Sequence, residues 1–174
     1  MEVNVKVSDE FLPQEEFFYI SNIFLGQEIN WFWNPYVTHT NDICNEDPKE
    51  FQFTHTIFDV NKGQVSPISQ NVIDIFLNKL NAYVLLRIKA NLNPNVTNVE
   101  PREYHTDFLG DVNKHSFTSI FYVNSNNGYT LFEDGTKVES VANRLVTFPG
   151  YLKHTGTSCS DQKSRVVLNF NYFK

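Results

Sequence analysis

Cysteine is scarce. The chain has two among 174 residues, Cys44 and Cys159, far apart and without metal-ligand spacing. They read as reduced packing thiols rather than a metal or disulfide framework. Long hydrophobic runs are missing too. No apolar stretch approaches the ~18 residues of a membrane span, so none is expected. The opening "MEVNVKVSDEFLPQEEFF" lacks a basic region followed by an apolar one. No secretion signal is expected, and the chain reads as a soluble, cytoplasmic protein. Positive charge is in deficit, with 14 Lys and Arg against 20 Asp and Glu, a net charge of −6 and a pI near 5.3. This balance argues against a duplex nucleic-acid partner. Repeats, low-complexity tracts and Ser/Gly linkers are also absent, which leaves a single domain over 1–174.

Aromatic residues are abundant instead: 16 Phe and 8 Tyr, in a chain that is 41% hydrophobic. Sheets favour such residues. Residues 8–24 offer Ser8 as a candidate N-cap, and Pro13 with the acidic residues after it predicts a helix from about Pro13. The aromatic stretch "NWFWNPYVT" (30–38) ends that pattern. "FQFTHTIFDV" (51–60) alternates loosely and predicts a strand. In 66–83, Ile68, Val72, Ile75, Phe76 and Leu80 stand near helical spacing. After that, strands are predicted at 83–93, 104–108, 116–124, 129–134, 136–142, 144–150 and 164–173. The turn "SNNG" (125–128) carries an Asn-Gly hairpin signal. Short strands with helices confined to the first half predict an α+β, mainly β fold: a sandwich or barrel-like roll with a helical flank. The flank is 1–82, helical and mixed; the core strands are 83–174.

The chemistry concentrates in "EYHTDFLG" (103–110) and "FPGYLKHTGTSCSDQKSR" (148–165). His105 and Asp107 are two apart, so an extended strand would aim both to one side. His154 follows 47 residues after Asp107, and Arg165 eleven residues after His154. Two imidazoles and one carboxylate can occupy one face of an octahedral metal and leave three adjacent positions open, as in non-haem Fe(II) oxygenases. Arg165, on the last strand, is suited to a bidentate pair with a carboxylate. His105 and Asp107 alone are weak evidence; the ordered four-part pattern is specific.

The segments "YHTDF", "TSIFYVNSNNGYTLFEDG", "VANRLVTFPGYLKHTG" and "RVVLNFNYF" resemble the 2-oxoglutarate/Fe(II)-dependent dioxygenases of the prolyl 4-hydroxylase-like branch, in particular small members encoded by marine bacteriophages. The likeness covers roughly 83–174. It implies a double-stranded β-helix (jelly-roll) core with flanking N-terminal helices. It further implies Fe(II), 2-oxoglutarate as cosubstrate and O2, with His105, Asp107 and His154 as metal ligands. Arg165 and Tyr122 would hold the distal carboxylate of 2-oxoglutarate, with Thr118 lining the same pocket. The family's tyrosine on the strand before the His-x-Asp loop has no counterpart in "RIKANLNP", so Asn91 or Asn93 would serve. Val167, Asn169 and Asn171 share the face of Arg165 by the two-residue period and are candidate pocket residues. The implied activity is hydroxylation of an unidentified substrate, a peptidyl proline or other protein residue, or a small molecule. If phage-encoded, the protein would work in the host cytoplasm. A monomer or weak dimer is expected.

Other residues carry blander readings. His55 reads as a satisfied structural histidine, His115 as exposed, and His39 as a loop residue. Trp31 and Trp33 read as core packing, with a substrate-cleft wall as the sharper alternative. Arg87 and Lys89 share one strand face, which is either solvated or in contact with substrate or cosubstrate. Arg144 reads as ion-pairing, and Glu133 and Asp134 as turn residues. Two other classes compete: a cupin-like divalent-metal protein with non-oxygenase chemistry, and a non-catalytic binding or virion module on the same fold.

Overall fold

The structure, a computed structural model, describes residues 5–35 and 51–174. In chain order the elements are β1 (Lys6–Ser8), α1 (Gln14–Leu25), β2 (Phe32–Asn34), β3 (Gln52–Asp59), β4 (Gly63–Gln64), α2 (Ser69–Leu80), β5 (Val84–Pro94) and α3 (Asp111–His115). Then follow β6 (Phe117–Tyr122), β7 (Tyr129–Phe132), β8 (Lys137–Glu139), β9 (Arg144–Pro149), β10 (His154–Gly156) and β11 (Ser164–Phe173). The strands form two antiparallel sheets. The larger runs β1-β9-β6-β11-β5-β3-β2, with β4 on β3; the smaller runs β10-β7-β8. The N-terminal half thus supplies four strands of the large sheet. Among the described residues no helix is long and apolar enough to cross a membrane.

Alternation along β11 explains the layering. Val166, Leu168, Phe170 and Tyr172 join Ile20, Ile23 and Phe24 of α1 and Val72, Phe76 and Leu80 of α2 in the main core. The aromatic surplus is used there: Phe76 packs edge-on against Phe121 and tilted against Phe170, with ring centroids 5.1 and 4.5 Å away. The opposite face of the large sheet looks at the small sheet. There Ile120, Tyr122, Val146, Phe148 and Val167 pack with Phe132 and Val138. The site lies on this second face.

Four details differ from the sequence expectations. Ser8 is paired with Leu145 in β1 and caps no helix; α1 begins directly after Pro13, with Glu15 and Glu16 in its first turn favouring the helix dipole. "SNNG" does not close a hairpin, because β6 pairs with β9 and β11 while β7 pairs with β10 and β8. That turn instead carries the chain from one sheet to the other. Gly128 is needed there: a Cβ would collide with the Ser158 carbonyl and the Arg165 side chain. Residues 104–108 form no strand; only His105 makes a bridge, to His154. Finally, β10 and the short α3 stand where no element was expected, so helix is not confined to the first half.

Candidate metal centre and anion cavity

The single bridge between His105 and His154 sets the two imidazoles side by side. Each backbone N–H donates to the other's carbonyl at 3.0 Å, and the ring centroids are 4.8 Å apart. The Nδ1 of His105 lies 3.4 Å from the Glu103 carbonyl and that of His154 3.3 Å from the Leu152 carbonyl. With Nδ1–H donating in both, each Nε2 is left with a free lone pair. His154 is packed edge-on against Phe148, 4.7 Å between centroids.

Asp107 reaches the same point from the loop rather than from a strand. Its carboxylate is gripped by the large sheet: Arg87 donates to Oδ1 at 2.9 Å, Asn171 to Oδ2 at 2.8 Å, and Thr118 to Oδ2 at 3.2 Å. The Asn169 amide donates to both oxygens at 3.3 Å. Ligand atoms of His105, Asp107 and His154 all lie within 4.8 Å of one another, the one such group of His, Cys, Asp or Glu among the described residues.

Electrostatics suit a cation here. Burial pushes the Asp107 carboxyl up, but His154, Arg87, His105 and the Asn171 hydrogen bond outweigh it and hold the group well below the usual carboxylate range. Burial, then repulsion from His154, pulls His105 down to about 4. It is therefore neutral, as a metal ligand must be.

Beside this cluster lies a cavity of about 70 Å³ lined by all three residues and by Lys89, Asn91, Asn93, Thr130, Arg165, Val167 and Asn169, among others. Strand register orders its floor. Across β5, β11 and β6 the rows are Asn93–Arg165, Asn91–Val167–Tyr122, Lys89–Asn169–Ile120 and Arg87–Asn171–Thr118. Arg165 is at one end and Asp107 binds at the other. Arg165 is 3% exposed. It donates to Ser140 Oγ at 2.7 Å, Thr130 Oγ1 at 3.2 Å and the Thr157 carbonyl at 3.4 Å. No carboxylate among the described residues pairs with it. Burial lowers its pKa and raises that of Tyr122; at neutral pH the guanidinium stays charged and the phenol protonated. The Tyr122 hydroxyl donates to Thr130 Oγ1 at 2.8 Å.

The sequence candidates thus separate into groups. Arg165, Asn91, Asn93 and Asn169 line the cavity with the three ligand residues. Tyr122 joins the Arg165 end through Thr130. Thr118, expected to line the same pocket, holds Asp107 at the metal end, as do Arg87 and Asn171. Trp31 packs against the main core and Trp33 is exposed; neither lines the cavity. His55 is buried, with its nitrogens on the Asn30 carbonyl and Ser66 Oγ, a structural role. His115 is exposed at the end of α3. Arg144 pairs with Asp9, and Glu133 with Lys153. Cys159 is a buried free thiol, while Cys44 and His39 fall outside the described residues. Sequence reasoning missed Thr130 and Ser140. Thr130 was signalled only by its period-two alternation with Phe132 on β7.

The residues present fit a metal and an anion. The donor set is imidazole, carboxylate, imidazole. Arg165 is a buried cation without a counter-charge, which costs free energy unless a ligand supplies one. The Asn91 and Asn169 amide oxygens are buried without partners in the cavity wall.

No family model matches the sequence, and no curated protein matches it. Solved structures do share the fold. A prolyl-4-hydroxylase from Pseudomonas putida is 16% identical at TM-score 0.62, over 99% of this chain and 93% of that one. A prolyl hydroxylase from Trichoplax adhaerens, in complex with a hypoxia inducible factor peptide fragment, is 13% identical at TM-score 0.64, over 99% and 84%. HygX from Streptomyces hygroscopicus, with nickel and 2-oxoglutarate bound, is 10% identical at TM-score 0.65, over 98% and 83%. The chain therefore has the mainly β fold of 2-oxoglutarate/Fe(II) oxygenases, with a His-Asp-His cluster in place.

Proposed function

We propose that the protein is a non-haem Fe(II) dioxygenase that couples oxidative decarboxylation of 2-oxoglutarate to hydroxylation of a substrate. The observation that carries this reading is one cavity with the His105, Asp107 and His154 ligand atoms at one end and a buried, unpaired Arg165 at the other. Bound Fe(II) would supply the oxygen-activating chemistry, with 2-oxoglutarate and O2 consumed and succinate and CO2 released.

The chain's own residues have separable tasks. His105 and His154 present Nε2 atoms whose rings are fixed by the carbonyls on Nδ1. Arg87, Asn169, Asn171 and Thr118 fix the Asp107 carboxylate. The free N–H groups of Arg165 and the Tyr122–Thr130 hydroxyl pair bind the distal carboxylate of 2-oxoglutarate, with Asn91, Asn93 and Asn169 as neighbours along its length. Ile120 and Val167 close one wall and exclude water. No side chain is required to act as general base.

A peptide is the favoured substrate class, with a peptidyl proline the first candidate. The fold likeness to prolyl hydroxylases and the peptide in the Trichoplax adhaerens complex support it. Anaerobic titration with Fe(II) and 2-oxoglutarate tests the reading. The expected result is the weak visible charge-transfer band of a chelated complex, lost in Arg165→Met. Metal binding without a band in the wild type would refute the oxygenase assignment and favour a cupin-like metal protein.

A further inference from the structure

Lys89 is the one charged residue lining the cavity that the mechanism above does not use. It lies on β5 between Arg87 and Asn91, and strand register seats it beside Asn169, whose amide holds Asp107. It is therefore at the metal end, two side-chain rows from the Asn93–Arg165 row. Arg87 next to it is engaged, its guanidinium 2.9 Å from Asp107. Lys89 has no hydrogen bond or ion pair among the described residues, yet it lines the cavity. The one carboxylate in the lining, Asp107, already receives Arg87, Asn171, Asn169 and Thr118.

We infer that Lys89 is a second oxyanion-binding position, at the metal end of the cavity, where it pairs with a carboxylate of the bound ligand. The inference rests on the oxygenase reading and sharpens it. A partly buried ammonium without a counter-charge is costly, and its charge is recovered when an anion enters. Burial, then repulsion by Arg87, already draws its pKa to about 8, so an incoming carboxylate would restore its affinity for the proton. Cations at both ends of a space of about 70 Å³ suit one small dianion better than two separate molecules. The carboxylate at Lys89 comes either from 2-oxoglutarate, at its 2-oxo-acid end, or from the substrate.

Calorimetric titration of the full chain loaded with redox-inert Mn(II) tells these sources apart. The probes are 2-oxoglutarate, 2-oxopentanoate (metal-side carboxylate only) and levulinate (distal carboxylate only). If the cosubstrate is the source, Lys89→Met weakens 2-oxoglutarate and 2-oxopentanoate by about tenfold or more and leaves levulinate unchanged; Lys89→Arg restores binding. If the substrate is the source, the three affinities stay unchanged. Acetate then perturbs the Mn(II) electron paramagnetic resonance spectrum of the wild-type 2-oxoglutarate complex, but not that of Lys89→Met. Unchanged affinities with no acetate difference overturn the inference alone. A wild type that takes up no 2-oxoglutarate with Mn(II) overturns the oxygenase reading and this inference together.

Discussion

Lys89→Met should stabilise the metal-free protein, and by an amount that depends on pH. In the folded chain the ammonium titrates at about 8 against 10.5 for a free lysine, chiefly because it is buried and secondly because Arg87 is near. The folded state therefore holds the proton less tightly than the unfolded state. Stability from this group is complete above pH 10.5, falls as the pH drops toward 8, and is at its minimum below that. The full gap between 10.5 and 8 corresponds to about 3 kcal/mol. Water in the open cavity screens part of it, so about 1–2 kcal/mol is the expected gain at pH 7. Methionine keeps the length and most of the volume of the side chain, so little packing is lost. Urea unfolding of both proteins at pH 7, 8, 9 and 10 measures the difference. In a thermal scan it corresponds to a rise of about 2–8 °C for a chain of this size. The gap should narrow above pH 8 and close near 10.5. A variant less stable than the wild type at pH 7, or a gap independent of pH, would refute the reasoning.

Three further outcomes are expected. Arg165→Met should weaken 2-oxoglutarate binding by at least tenfold while leaving the ligand-free fold as stable or about 1–3 kcal/mol more stable, since a buried unpaired cation is replaced by an apolar chain of similar volume; calorimetry and melting curves check the two halves. Thr130→Val should cost about 1–3 kcal/mol in urea unfolding, because the Tyr122 hydroxyl and an Arg165 N–H lose a shared acceptor in a buried place. His105→Ala should leave a folded protein whose melting temperature no longer rises with Mn(II) and 2-oxoglutarate, whereas the wild type gains several degrees.

The sequence was most readable where a residue's role depends on spacing along one element. Arg165, Val167, Asn169 and Asn171 fall on one face of β11 because a strand leaves no alternative at period two. The helix at Ser69–Leu80 announced itself by its apolar stripe in the same way. Readings failed where a role depends on what lies across space. "SNNG" carries a genuine local turn signal, but no local signal says that its flanking strands belong to different sheets. His105 and Asp107 were expected to converge by strand geometry. They converge instead because one backbone bridge places His105 and four side chains of the large sheet draw Asp107 in. The position of Thr118 beside Asp107 was hidden for a related reason: its row is set by the pairing of β6 with β11. Arg87 and Lys89 shared a face as expected, yet only the fold shows that one is neutralised and the other is not.

The two faces of β11 tie inheritance to geometry. Val166, Leu168 and Phe170 belong to the core, while Arg165, Val167 and Asn169 belong to the cavity. An insertion or deletion of one residue inside this strand would exchange the two sets, driving Arg165 toward the helices and a core aliphatic toward the metal. A change of two residues would keep the faces but shift the clamp by about 6–7 Å relative to the metal ligands. Length changes should therefore accumulate among natural variants in the exposed turn just before the strand, 160–163, and stop at Ser164. Point changes inside the strand should follow two separate alphabets, one apolar and one polar, alternating residue by residue.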